Sequence, residues 1–160
     1  MNSKINISVS SQTLSLFQDG ELISSFKIST ALKGVGQEKN SNKTPLGNHI
    51  IRAMIGRTLP IYSVIQARRF TNEIWTKELD DTSVTVDWIL SRVIWLSGKD
   101  LGRNRLGNVD TMQRYIYIHG TNEEHLLGTP SSHGCIRMSN EDVIELFDLV
   151  SVGDIVEIDF

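Results

Sequence analysis

Apolar and polar residues alternate from the start of the chain. Ile5, Ile7 and Val9 mark one strand, and Leu14 and Leu16, then Leu22 and Phe26 beyond Asp19-Gly20, continue the period of two. Asp-Gly between alternating segments predicts a tight hairpin, because both turn positions favour positive φ. Residues 31–47 lose this period and carry Gly34, Gly36, Pro45 and Gly47, so they read as a long loop. β-Branched residues return over 49–55 and 61–65, and further strands are expected at 115–118 and 155–158. Residues 84–96 are apolar enough for a strand or a buried helix, and periodicity leaves both open. Gly98, Gly102 and Gly107 with Asn104 and Asn108 predict a second long loop over 97–110, mobile and of the kind that covers sites. A helix is predicted over Asn140–Val150, with Val143, Leu146, Phe147 and Val150 on one face and Ser139 in place to cap it. The pattern is mainly β, with one or two short helices.

A chain of 160 residues corresponds to a single domain, 1–160. With 39% hydrophobic and 22% charged residues, wholesale disorder is excluded. Sixteen Lys and Arg against nineteen Asp and Glu, net −3, leave no basic field to hold nucleic acid. The longest apolar runs, such as Val93-Ile94-Trp95-Leu96, fall far short of the ~20 residues that span a bilayer. The first residues alternate instead of forming the continuous apolar stretch of an export signal, and the single cysteine, Cys135, suits a reducing compartment. A cytoplasmic location is therefore expected, with the periplasm or cell wall as the alternative if a signal peptide has been removed.

The chemistry concentrates between His119 and Cys135, where His119, His125, His133 and the lone thiol share seventeen residues. A thiol becomes a nucleophile when an imidazole can take its proton and backbone N–H groups can hold an oxyanion. Gly134 allows close approach of the backbone to a ligand. His119 ends an apolar strand immediately before Gly120, which presents its imidazole at a sheet end where the Gly120 carbonyl could orient it. The same four side chains are zinc-competent, so a metal-binding protein is the competing reading. His-x-Cys is not a usual structural zinc spacing, however, and no metal or other cofactor is expected. His125 reads as a surface residue and His49 as structural. Trp75, Trp88 and Trp95 fit core or groove-rim packing, and Arg103, Arg105 and Arg114 fit either a solvated loop or contacts with substrate carboxylates.

Ile118-His119-Gly120-Thr121, the sixteen-residue step from His119 to Cys135, and Ser132-His133-Gly134-Cys135-Ile136-Arg137-Met138 together resemble the YkuD-type L,D-transpeptidase catalytic domain. Thr44-Pro45-Leu46-Gly47 is similar to that family's TPxG element, and the resemblance extends over about residues 4–158. It implies a YkuD-like β-sandwich whose cysteine attacks the L,D peptide bond of peptidoglycan tetrapeptide stems and forms a thioester. By position, Cys135 would be the nucleophile, His119 its base and the Gly120 carbonyl the group that orients the imidazole. His133 and Gly134 would shape the oxyanion and substrate side, with the Gly134 and Cys135 N–H groups as donors and Ser132 as a supporting hydrogen bonder. Arg137 would meet a stem carboxylate, or else lie in a surface salt bridge.

The resemblance also implies covalent acylation by carbapenem-type β-lactams. The partners would be stem peptides or muropeptides. Water as acceptor gives an L,D-carboxypeptidase of murein recycling, the expected outcome for a cytoplasmic protein. A second stem's amine gives a cross-linking L,D-transpeptidase. A non-catalytic murein-binding module on the same fold is a third reading, against which the intact His119 and Cys135 argue.

Overall fold

The computed structural model describes residues 2–82 and 87–160, with side chains given for all of these except 81 and 82. The chain begins as a meander of β1 (Ser3–Ser8), β2 (Thr13–Gln18) and β3 (Glu21–Lys27). The β2–β3 turn is the one expected, with Asp19 at φ 50° and Gly20 at φ 84°. Leu14 pairs with Phe26 and both are buried, but a bulge between Leu16 and Phe17 shifts the register. Phe17 therefore faces Leu22, and Leu22 is 58% exposed instead of continuing the core pattern. A one-residue slip turns every later side chain to the other face.

Seven further strands follow: β4 (Gly47–Ile55), β5 (Ser63–Gln66), β6 (Arg69–Ile74), β7 (Leu90–Gly98), β8 (Tyr117–Gly120), β9 (Ile136–Met138) and β10 (Ile155–Asp159). Two helices interrupt them, the unpredicted α1 (Lys77–Thr82) and the predicted α2 (Asn140–Leu149). The open assignment over 84–96 resolves into strand from Leu90 onward, and 84–86 lie outside the described residues. β7 is buried at nearly every position, since it is covered on both faces, and so lacks the alternation that marks a one-sided strand. The strands form one sheet in the order β3-β2-β1-β10-β4-β7, from which β8-β9 and the β5-β6 hairpin branch. β1 runs parallel to β10 and β8 parallel to β9, while the other pairs are antiparallel.

The sheet curls until its far ends meet. Just beyond β3, Ser29 exchanges both backbone hydrogen bonds with Arg137 of β9, at 3.0 and 2.9 Å. The two halves thus face one another across a single core, which joins Ile5, Leu14 and Leu16 to Ile118, Ile136 and Met138. This is the mainly β, sandwich-like architecture expected. α2 packs its Val143, Leu146 and Phe147 into the same core, and Val150, just past its last turn, is buried with them. The Ser139 hydroxyl accepts the Asp142 N–H at 3.0 Å, which caps the helix.

The loop after β7 is not the loose cover that its glycines suggest. Ser97 and Gly98 belong to β7, and buried Asn104 donates to the Leu46 and Asn48 carbonyls at 3.1 Å each while accepting the Asp100 N–H at 2.9 Å. Arg114 donates to the carbonyls of Gly36, Gln37 and Lys43, strapping this loop to the 31–47 loop.

His49 is buried in the same region. Its Nδ1 lies 3.0 Å from the Gly47 carbonyl, which can only accept, so Nε2 takes the Thr111 hydroxyl, also at 3.0 Å. Burial pushes its pKa down from 6.5 to about 4, more than the Gly47 bond and the Asp100 charge restore. The unfolded chain binds this proton near pH 6.5 and the native one only near pH 4, so stability is lost as pH falls through that window. We expect about 3 kcal/mol from this residue. Thermal denaturation at several pH values should show the loss, with a shallower slope in His49→Gln.

Candidate active site

β8 and β9 pair in parallel with Ile118 opposite Ile136 and His119 opposite Arg137. Partners in register share a face of the sheet. Ile118, Ile136 and Met138 turn into the main core, so His119 and Arg137 turn to the other side, together with Tyr117 and Cys135. There Val93, Ile65 and Tyr117 form a smaller apolar floor against which Trp95 and Cys135 pack. The sheet therefore places the predicted nucleophile and base on one face, two positions apart in register, with no hydrogen bond between Sγ and Nε2. Cys135 lies beside Tyr117, whose N–H reaches its Sγ at 3.3 Å, and His119 is the diagonal neighbour, within reach of long side chains on a pleated surface.

His119 is fully buried, with Nδ1 2.7 Å from the Gly120 carbonyl. A carbonyl can only accept, so Nδ1 carries the proton and Nε2 is left with its lone pair and no protein partner among the described residues. Burial lowers its pKa, outweighing the Asp87 charge and the Gly120 bond, and keeps the imidazole neutral. Gly120 has no room for a side chain. A Cβ there would lie 2.6 Å from the Leu90 carbonyl oxygen and 2.5 Å from Asn140 Oδ1.

Cys135 is half-buried, and its thiol donates to the Tyr115 carbonyl at 3.4 Å. Burial pushes its pKa up to about 12, the Tyr117 N–H offsetting only part of that. The resting face thus carries a neutral thiol and a neutral imidazole.

The turn before the cysteine is held from inside and outside. Within it, the Ser132 hydroxyl donates to the Cys135 carbonyl at 2.6 Å and accepts the Gly134 N–H at 3.2 Å. Of the two expected oxyanion donors, the Gly134 N–H is therefore occupied in the resting turn. From outside, Thr44 donates its hydroxyl proton to the Gly134 carbonyl at 2.9 Å and accepts the Ala31 N–H at 3.0 Å. The physical content of the Thr-Pro-Leu-Gly element is this clamp. Thr44→Val should cost about 1–3 kcal/mol, since two buried groups lose their partner. Thermal denaturation and acylation rate together check it, with both expected to fall.

Arg137 lies neither on the surface nor open to a ligand. Its side chain is 3% exposed, pairs with Asp87 at 2.6 Å and Glu123 at 3.2 Å, and donates to Ser131. Asp87 also faces His133 Nδ1 at 3.4 Å, so one carboxylate joins a buried guanidinium to an exposed imidazole. Burial opposes the charged form of Asp87. The charge of the His119 imidazole when it is protonated, the Arg137 charge, and hydrogen bonds from Arg137 and His133 nonetheless hold its pKa below the usual carboxylate range. Sequence reasoning missed Asp87, which is distant from Cys135 along the chain, and Glu123, which lies inside the His119–Cys135 segment beside Glu124 but carries no motif of its own.

Two cavities are lined by residues of this region, though neither by Cys135 itself. One of about 200 Å³ is lined by Lys39, Arg114, Tyr115 and His133. The other, about 230 Å³, is lined by Gln66, Thr71, Glu73, Asp87 and Trp88. One is bordered by cations and the other by carboxylates. Trp95 stands beside Tyr115 and Tyr117 on the site face, with ring centroids 6.1 and 6.0 Å away. Trp75 lies apart, bonded to Asp80. His125 is exposed and lines a cavity between β3 and α2, so it does not join the site. Among the described residues no group of His, Cys, Asp and Glu is arranged to hold a metal ion.

A thiol, a neutral imidazole held by a carbonyl and a glycine-bearing turn, all on one face of a curled sheet, have the chemistry of a cysteine acyl-transfer site. The chain belongs to the YkuD family, the L,D-transpeptidase catalytic domain, whose family model matches residues 2–158. Among curated relatives, YqjB of Bacillus subtilis, named as an L,D-transpeptidase, is 51% identical over 40 residues, 25% of this chain and 23% of that protein. YbiS of Escherichia coli, with the same designation, is 50% identical over 40 residues, 13% of its own length. An L,D-transpeptidase from Mycobacterium smegmatis superposes at a TM-score of 0.59 and 19% identity, covering 99% of this chain and 59% of that one. L,D-transpeptidase 3 from Mycobacterium tuberculosis, solved with a faropenem-derived adduct, gives 0.60 at 16% identity, covering 99% and 60%. At such identities the likeness is one of fold, and this chain spans about three-fifths of those solved chains.

Proposed function

We propose that this protein cleaves the L,D peptide bond of peptidoglycan stem peptides through a thioester on Cys135 and passes the acyl group to water. The observation that carries the reading is the unpartnered Nε2 of His119, a buried neutral base on the same sheet face as the only thiol. His119 takes the thiol proton as Sγ attacks the carbonyl, then returns it to the leaving amine. Family membership supports the substrate class. A thiol that must stay reduced suits the cytoplasm, the compartment proposed, and fractionation of native cells tests that placement.

Transfer to the amine of a second stem is the alternative outcome. The cavity lined by Glu73 and Asp87 favours it, because two carboxylates attract an ammonium group as well as they hold a water. Mass spectrometry of products from a defined tetrapeptide, with and without a stem amine in excess, separates the two. Tripeptide plus free D-residue supports hydrolysis, and a cross-linked dimer as the major product replaces it with transfer. Acylation by carbapenem-type β-lactams is proposed on the same thiol.

A further inference from the structure

The face that carries Cys135 holds a cation to which the mechanism gives no role. Arg68 lies at the tip of the β5–β6 hairpin, where Ala67 at φ 48° and Arg68 at φ 63° occupy turn positions that Gly, Asn and Asp usually fill. The hairpin lays its guanidinium over the Tyr115 ring, 4.8 Å from the centroid, and over Trp95 at 5.3 Å. A guanidinium N–H also donates to the Tyr117 hydroxyl at 3.2 Å. Tyr115 and Tyr117 are the same two residues whose backbone holds the thiol, through the Tyr115 carbonyl and the Tyr117 N–H. Arg68 is half-buried and makes no ion pair among the described residues, whereas Arg137 has Asp87 and Glu123. A guanidinium held on aromatic faces is partly stripped of water, so a planar anion that meets its fork in two parallel bonds gains more than in bulk solvent.

We propose that Arg68 is a carboxylate receptor beside Cys135, binding a substrate carboxylate next to the bond under attack. This rests on the acyl-transfer reading above, which supplies the substrate's chemistry. In a stem ending in a D-residue, the free C-terminal carboxylate is three bonds from the attacked carbon, within about 4 Å of it by standard backbone dimensions. Such a receptor reads the end of the stem and favours a donor whose last residue is free over one that is amidated or extended. A side-chain carboxylate on the third residue offers the same chemistry, and the experiment distinguishes the two sources.

The probes are three tetrapeptides: the free acid, its C-terminal carboxamide, and one amidated on the third residue's side chain. Wild type should prefer the free acid over one of the amides by about 10- to 100-fold in kcat/KM, chiefly through KM, the worth of a charge-assisted hydrogen bond. Arg68→Ala should abolish that preference and Arg68→Lys retain part of it. Loss of the C-terminal preference identifies the terminal carboxylate, and loss of the side-chain preference identifies the third residue. Either supports the receptor. Acid-to-amide ratios that are unchanged by Arg68→Ala at both positions overturn it, as does a wild type that ignores both amides.

Calorimetric binding of the same peptides to Cys135→Ala protein, with and without Arg68→Ala, reads the receptor without turnover. Turnover with no Arg68-dependent preference refutes the receptor alone. Carboxylate-selective binding without turnover by wild type refutes acyl transfer alone.

Discussion

Cys135→Ala is expected to fold normally and to release no product above background, a loss on the order of 10⁴- to 10⁶-fold in kcat. The fold should survive because the sulfur is half-buried and its partners are backbone groups at 3.3 and 3.4 Å, so truncation costs about 1 kcal/mol. The variant should also gain no mass with a carbapenem that acylates wild type. More than about a tenth of wild-type turnover in Cys135→Ala would sink the thiol mechanism. The pKa raised to about 12 adds a sharper expectation, since at neutral pH the resting enzyme should react with iodoacetamide more slowly than an ordinary thiol does.

Removing the proposed base should have the next largest effect. His119→Gln or His119→Ala is expected to lower turnover by about 10²- to 10⁴-fold, the usual worth of a positioned general base. The pH profile distinguishes this from a merely structural loss. In wild type the lowered His119 pKa places the acid limb of kcat/KM below pH 6.5, because the base stays unprotonated into more acidic solution. In His119→Ala the residual rate should climb through the neutral and alkaline range as the thiolate population rises toward a pKa of about 12. A wild-type acid limb that persists in that variant would show that His119 is not the group that takes the proton. The double variant should be little worse than Cys135→Ala, because the two groups act as one unit.

The parts of this site that lie within a few residues of one another were readable from the chain. The turn from Ser132 to Cys135 announces itself through its glycine and histidine, and His119-Gly120 through a strand that stops at a glycine. α2 was equally plain, because Val143, Leu146, Phe147 and Val150 keep a helical period and all prove buried. What escaped depends on pairing across long separations. Asp87 reaches Arg137 over fifty residues, and no local pattern distinguishes it from other surface acids. The exposure of Leu22 follows from a bulge in the preceding strand, which leaves no mark on the alternation itself. Glycines and asparagines over 97–110 suggested looseness, yet Asn104 uses its amide to pin that segment to the strand opposite.

The place of β10 in the sheet has a consequence for synthesis. It is the last of these strands to leave the ribosome, yet it lies between β1 and β4, pairing Lys4 with Ile155 on one side and Ile50 with Ile155 on the other. Until it emerges, β1 and β4 each present an open edge able to capture a neighbouring nascent chain, and the meander meets the strands that carry the thiol and imidazole only at the Ser29–Arg137 bridge. Val156 and Ile158 then fill the core from both directions at once. The thiol and the imidazole are translated before the strand that fills the gap between β1 and β4, so both are made while the sheet is still open between those two strands.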